Sequence, residues 1–333
     1  MFDDRHHISP TQQRLGVPEG ECDVLNRGNL ESYRALYRKW MAWYEFAPDN
    51  PNTIEGQIIN MTFHDLTYRS ITSVRGSISS DTKVAARSNA LIYLIDTGYL
   101  ANQALAVAKL VDEGSDVISV RRLLKDIKRK REVLTREIYV AGFGDPYNPD
   151  ARRENVDESD PSVRIWGLQA PSLSRWLYSY DAHKRFDQLA GVSLAQRTRN
   201  DLIRPVIFDR IDNWLSIAEI KQLKTLRDNF FAHAGDALKH GRPTTMQSVR
   251  FDQLDRAQEA IIRAERAITD CLLNYRIDRN VIGIPPLGIF SGLDAPYSTN
   301  EAENAMHACW DQLETQREGW KDGIWKRLTG PSQ

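Results

Sequence analysis

Cysteine is scarce: three in 333 residues, Cys22, Cys271 and Cys309, far apart and odd in number. Such a set argues against a disulfide framework and suits a reducing compartment. Long apolar runs are missing too. None approaches the roughly 18 residues that a membrane span requires. The polar opening Met-Phe-Asp-Asp-Arg-His-His lacks the apolar centre of a secretory signal. A cytoplasmic location with no membrane association is the expectation. Charge of one sign is also lacking, since 44 Lys and Arg face 45 Asp and Glu. Contact with a polyanion would therefore need a local patch.

Familiar chemical signatures are absent as well. The sequence has no Walker loop, no Gly-x-Gly-x-x-Gly, no His-Glu-x-x-His, no Gly-x-Ser-x-Gly and no Cys-x-x-Cys. His307 and Cys309 stand two apart with no second pair, so a packed helix is expected there, not a metal centre. His6 and His7 belong to a polar arm. His64-Asp65 reads as a helix-surface pair more readily than as a polarised histidine. No metal and no cofactor is expected.

What is present is helical periodicity. Hydrophobic residues make up 41% and charged residues 27%, enough for a sizeable core. Residues 1–30 read as a loose arm punctuated by Pro10, Gly16, Pro18 and Gly20. Tyr33, Leu36, Tyr37, Trp40 and Tyr44 then recur at helical spacing from Leu30 to Phe46. A second helix is expected from Ile54 to about Ile78. Asp81 or Thr82 can cap a third that reaches Glu113. Its apolar centre, Ala90-Leu-Ile-Tyr-Leu-Ile95, predicts a place in the middle of a bundle.

Ser115 or Asp116 would open a fourth helix to about residue 140, with Val117, Val120, Leu124, Ile127, Leu134 and Ile138 as its stripe. The other face is basic, with eight cations against two acids between Arg121 and Arg136. Residues 142–215 read as an insertion of loop and short helices, with Trp166, Trp176 and Trp214 packing. Ser216 and Glu219 suggest a capping box before the next helix, and Phe251 to Tyr275 form another. After a loop at 283–288, Ser298 and Glu301 introduce a final helix through Leu328. No strand series and no repeat is seen. The expected class is all-α, a helical bundle. Its parts are an arm with accessory helices over 1–80, a core over 81–280 and a C-terminal loop and helix over 281–333.

The segment Leu223-Lys-Thr-Leu-Arg-Asp-Asn-Phe-Phe-Ala-His-Ala-Gly-Asp236 stands out. Arg227 and His233, five residues between them, sit at the end of an amphipathic helix. This resembles the Arg-x(4–6)-His motif of the HEPN superfamily, with polar Asp228 after the arginine. The Phe-Phe-Ala-His-Ala ending looks like its abortive-infection branch. The stretch Leu105 to Leu124 resembles that family's junction between its first two core helices. Helices at about 83–113, 116–140, 216–234 and 251–275 match its four-helix core, with extra helices at both ends and 142–215 as a departure.

The resemblance implies a metal-independent endoribonuclease acting as a toxin or phage-defence effector. It also implies a homodimer, with an antitoxin or other defence-system protein as a further partner. Some relatives of this type are non-catalytic modules that bind RNA, a nucleotide or a protein. In one branch a tyrosine two residues past the histidine is nucleotidylated, but Gly235 stands there in this chain.

The residues themselves support the chemistry. A ribose 2′-hydroxyl can attack the neighbouring phosphate without metal if a group titrating near neutrality moves the proton and a fixed cation meets the developing charge. His233 and Arg227 offer one of each, with Asp228 or Asn229 to orient the arginine or the substrate. Lys224, Lys239 and Arg242 flank them as candidate RNA-phosphate contacts, and the basic face of 121–136 is a further one. A regular six-residue step turns about 600°, leaving the two side chains roughly 120° apart. Either the helix breaks near 232–235, or two copies of the motif meet across a two-fold axis; the second is favoured.

Overall fold

A computed structural model describes residues 10–47, 49–73, 84–148, 171–231, 249–275 and 300–330. The fold is all-α. The only β pairing among these residues is two isolated bridges, Ala47–Asn50 and Thr135–Leu202. The helices are α1 (Pro10–Leu15), α2 (Arg27–Tyr44), α3 (Ile54–Ser73), α4 (Val84–Leu110), α5 (Val120–Arg129), α6 (Arg136–Ala141), α7 (Pro171–Ala190), α8 (Pro205–Trp214), α9 (Ala218–Leu226), α10 (Phe251–Arg266), α11 (Asn300–Glu318) and α12 (Ile324–Thr329). Both α9 and α10 run on into a π-helical turn, Arg227–Phe231 and Ala267–Leu272 respectively.

The arm is tied down from Thr11 onward. Its backbone N–H and hydroxyl both donate to Glu45 Oε1, and Arg14 donates to the Asn274 carbonyl 260 residues away. Arg34, itself buried, donates to the carbonyls of Val17 and Gly142. A fully buried guanidinium must find acceptors, and here the backbone of the arm supplies one of them. Cys22 and Val24 enter the core as a result.

The single helix expected over 116–140 is two. Ser119, not Ser115 or Asp116, caps α5 by accepting from Arg122 N. The chain leaves the helix at Lys130, forms a tight turn at Arg131–Val133, and restarts where Thr135 accepts from Ile138 N. The break serves Arg136. Its side chain has no exposure and reaches Asp187 and Asp201, each at 2.8 Å. The backbone N–H groups of Arg136 and Glu137 donate to the carbonyls of Asp201 and Arg199. Segment 171–215 is thereby part of the core. It holds a 20-residue helix, α7, where short helices were expected. Phe186, Leu189, Ile207, Phe208 and Ile211 are buried in the common cluster, each contributing about 1.5–3 kcal/mol by leaving water. Trp214 packs half-buried against it. Trp166 lies outside the described residues, as does the Trp176 side chain.

Two other expectations are corrected. Ser216 does not cap α9, because its hydroxyl donates to the Asp212 carbonyl and accepts from Arg121; Ile217 holds the cap position. The C-terminal helix is interrupted at Gly319–Lys321 and restarts after Gly323, whose φ of 69° suits glycine. Ser298 lies outside the described residues. The centre of α4 is also less enclosed than its sequence suggests: Tyr93 and Leu94 are 70% and 67% exposed.

Helices α4, α9 and α10 pack on one another, and α5 packs on α10. On the opposite side α11 lies along α3, which lies along α4. Gln222 pairs with Gln253, and Glu219 with Arg256. The two pairs define one antiparallel register between α9 and α10. It brings the end of α9 to the start of α10.

Candidate functional site

Arg227 is the first residue of a π turn. The local sequence explains why. Asp228 and Asn229 favour the helix weakly because their side chains compete for backbone groups. Phe230 and Phe231 both pack against the core, and two consecutive bulky side chains reach one side more easily from a widened turn. Such turns are rare and occur often at functional sites.

The Arg227 guanidinium is about one-fifth exposed and donates through Nε to Asp228 Oδ1 at 2.7 Å, with Nη2 on the same oxygen. Asp228 is 43% exposed. Asn229 and Lys224 are half-buried. Arg227, Asp228, Asn229 and Lys224 thus lie together at one end of α9, against α4. His233, Lys239 and Arg242 fall outside the described residues, as does Gly235. The regular-helix rotation used to separate Arg227 from His233 does not hold here, since the helix changes its repeat at Arg227 itself.

The basic face of 121–136 is largely consumed inside the molecule. Arg121 pairs with Glu113 and Asp212, Lys125 with Glu113, Lys128 with Asp209, Arg129 with Asp126, and Arg136 is buried. Arg122 lies 4.3 Å over the Trp43 ring. Burial alone would raise the Asp126 carboxyl, but Lys39, Trp40 and Arg129 hold it below its ordinary value. Eight nominal cations therefore give far less positive surface than their number suggests.

His64 and Asp65 do not form a polarised pair. Asp65 turns inward, buried, and accepts from Arg69, Tyr99 and Arg317. His64 faces Asn102 at 2.7 Å. Among the described residues no group of three or more His, Cys, Asp or Glu is placed to hold a metal ion. Cys22, Cys271 and Cys309 are free thiols, and no described helix is long and apolar enough to cross a membrane.

Three arrangements escape a reading of the sequence. At the π turn of α10, burial pushes the Asp270 carboxyl up to about 7, Arg266 opposing and Glu265 adding to the rise. Glu265 is itself raised by burial. Near α6, His183 Nε2 meets the Tyr147 carbonyl while Nδ1 is buried without a partner, and burial lowers its proton affinity. Across α3, α4 and α10, the rings of Tyr68 and Tyr99 stack at 3.7 Å beside Phe251. Charged residues inside apolar stripes, such as Asp65 and Asp270, were the available signal for two of these. When the chain is compared with known proteins, no family model, no curated protein and no solved structure matches it.

Proposed function

We propose that this chain is a metal-independent endoribonuclease of HEPN type, with Arg227 and His233 as its catalytic pair. The observation that carries the reading is Arg227 itself: a partly exposed guanidinium, oriented by Asp228, on the π turn that follows α9. In this reaction the 2′-oxygen bonds to the adjacent phosphorus, the P–O5′ bond breaks, and the 5′-oxygen leaves with a proton. Arg227 meets the negative charge on the phosphate, and a guanidinium fork suits two of its oxygens. His233 moves the proton, as base, acid or both in turn. Asp228 and Asn229 orient the arginine or the ribose. Lys224, Lys239 and Arg242 hold flanking phosphates.

The fuller role follows from the same resemblance: a cytoplasmic toxin or phage-defence effector, working as a homodimer and restrained by an antitoxin or another defence protein. Exposed Tyr93 and Leu94 lie on α4, the helix against which the π turn packs. They offer apolar surface for a two-fold contact on that helix.

One observation favours the second reading, a non-catalytic module binding RNA, a nucleotide or a protein. The Arg227–Asp228 pair already neutralises the guanidinium that a phosphate would need. The deciding experiment incubates purified protein with total RNA beside a His233→Ala variant. Cleavage by the first and not the second supports the nuclease. Equal cleavage by a well-folded variant removes it, and RNA binding without cleavage by either supports the module.

A further inference from the structure

His183 lies within α7 and is 5% exposed. Its ring bonds the Tyr147 carbonyl, 2.7 Å from Nε2. A carbonyl only accepts, so Nε2 must carry the hydrogen and Nδ1 is the bare nitrogen. Nδ1 is itself buried and has no hydrogen-bond partner. The contact is therefore made by the neutral ring. The Tyr147 and His183 rings also meet edge to face, their centroids 4.9 Å apart.

A second proton would have to enter at Nδ1, and the surroundings oppose it. Arg136 of α6 donates to the His183 carbonyl, and Arg197 stands nearby beyond the end of α7. Asp187, one turn along α7, is the acid that acts on the ring, but its oxygens are taken: Oδ1 by Arg136 and Arg197, and Oδ2 by Arg197. Around Tyr147 stand Arg199, Glu137, Asp23 and Asp201. They are paired already, Arg199 with Glu137 and Asp23, and Asp201 with Arg136. Burial pushes the proton affinity of His183 below its ordinary value, with Arg197 and Arg136 adding to the fall and the Tyr147 carbonyl and Asp187 opposing it.

The chain that His183 holds is a junction. The Tyr147 N–H donates to Asp23 at 2.9 Å, and Arg199 lies 3.9 Å over the Tyr147 ring. Pro146 offers its carbonyl to the Ser179 hydroxyl at 2.6 Å. Phe143, just before, packs on Tyr33 and Tyr37 of α2. Arm, α2 and α7 thus meet on one short stretch. Ser179 and His183, four residues apart on α7, both grip it, and His183 is the one of the pair that titrates near neutrality.

We propose that His183 is an acid-operated latch: the neutral ring fastens residues 146–148 to α7, and a proton on Nδ1 drives the ring out and frees them. Protonation leaves the Nε2 donor in place. Its cost is a charge beside a buried nitrogen that has nothing to bond and two guanidiniums for neighbours. A released ring takes its proton near pH ~6.5, the latched ring only at lower pH. The latch is therefore whole above that value and is lost as pH falls below it. Asp270 acts in the opposite sense, since its raised carboxyl loses its contribution as pH rises.

Hydrogen exchange of the 144–148 amides, read by mass spectrometry at pH 7.5 and 5.0 and corrected for intrinsic rates, follows the latch in the full chain. Protection should fall about tenfold for each unit by which the latched ring lies below its ordinary value. His183→Gln carries an amide N–H for the same carbonyl and does not titrate, so its protection should hold at both pH values. Asp270 titrates alike in both chains, and the difference between them belongs to His183. Unchanged protection in the wild type, or an equal fall in His183→Gln, overturns the latch; the second outcome assigns the effect to the carboxylates around Tyr147. Histidine NMR of the wild type needs no variant and decides the matter if His183→Gln is open throughout or fails to fold. The ring should be the neutral Nε2–H form at pH 7.5 and titrate below the ordinary histidine value. A bare Nε2, or titration at or above that value, also overturns the proposal.

Discussion

Arg136 Nε lies 2.8 Å from Asp201 Oδ2, and the arginine side chain has no contact with solvent. This bond, with its companion to Asp187, fastens the segment before α8 to α6. Asp201 is held below its ordinary value: burial alone would raise it, but Thr198 and Arg136 outweigh that. Removing the cation leaves two acids with restricted access to water. Arg136→Met should therefore cost about 3 kcal/mol in chemical denaturation. A loss no larger than that for an exposed lysine would show the network to be ornamental.

Asp270 gives the pH dependence a definite sign. Its carboxyl sits at about 7 in the fold, against about 3.9 in an unfolded chain. Between those values the folded state binds the extra proton, so Asp270's contribution to stability falls as pH rises from 4 to 7 and is level above. Asp270→Asn should make the protein more stable at pH 8 than the wild type and flatten its profile over pH 4–7. Melting curves across that range decide it. An unchanged profile would place Asp270 in water.

Asp228 separates two roles for its partner. If it orients Arg227, Asp228→Asn should slow RNA cleavage about tenfold, the worth of one charge-assisted bond at a partly wet site, with little change in stability. If it masks the guanidinium, the same variant should bind RNA phosphate more tightly and cleave no slower. Arg227→Ala should abolish cleavage while leaving the fold intact, because the side chain lies at the surface end of α9. Single-turnover rates beside circular dichroism report both.

The proposed attack by the ribose hydroxyl would fix the products. Cleavage should survive excess EDTA and leave a 2′,3′-cyclic phosphate and a free 5′-hydroxyl. DNA and 2′-O-methyl RNA should resist. End-group analysis by mass spectrometry checks the first statement, and activity that returns only with added magnesium or zinc contradicts it.

Light scattering at micromolar concentration should show a dimer, and Leu94→Glu should shift it toward monomer. An active wild type that is monomeric throughout would dissociate the chemistry from any two-fold arrangement.

The helices were legible where one stripe dominates. Tyr33, Tyr37, Trp40 and Tyr44 mark α2, and Leu254, Ile261 and Ile268 mark α10. Breaks were not, because they answer to distant partners. The stop between α5 and α6 depends on where Arg136 meets Asp187 and Asp201, and Ser216 loses its cap to Arg121 on α5. The apolar run in α4 misled in the other direction: Tyr93 and Leu94 look enclosed by composition and face solvent instead. At the candidate site the sequence pointed to Arg227 and Asp228 through their spacing to His233. It could not show the π turn, from which both Phe230 and Phe231 pack against the core. Nor could it show Phe251 against Arg69, Tyr68 and Tyr99, a matter of how α10 packs on α3 and α4.

The buried contact between Asp65 and Arg317 sets a timetable for synthesis. The two residues are 252 positions apart. At ~5–20 residues per second, a ribosome needs roughly 13–50 s to travel from one to the other. Arg69, four residues after Asp65, emerges almost at once and can hold the carboxylate in the interval. It acts as a local stand-in until α11 arrives. Helix α3 waits that long for α11, the helix that packs along it, so the nascent chain carries that face of α3 uncovered while the intervening residues are made.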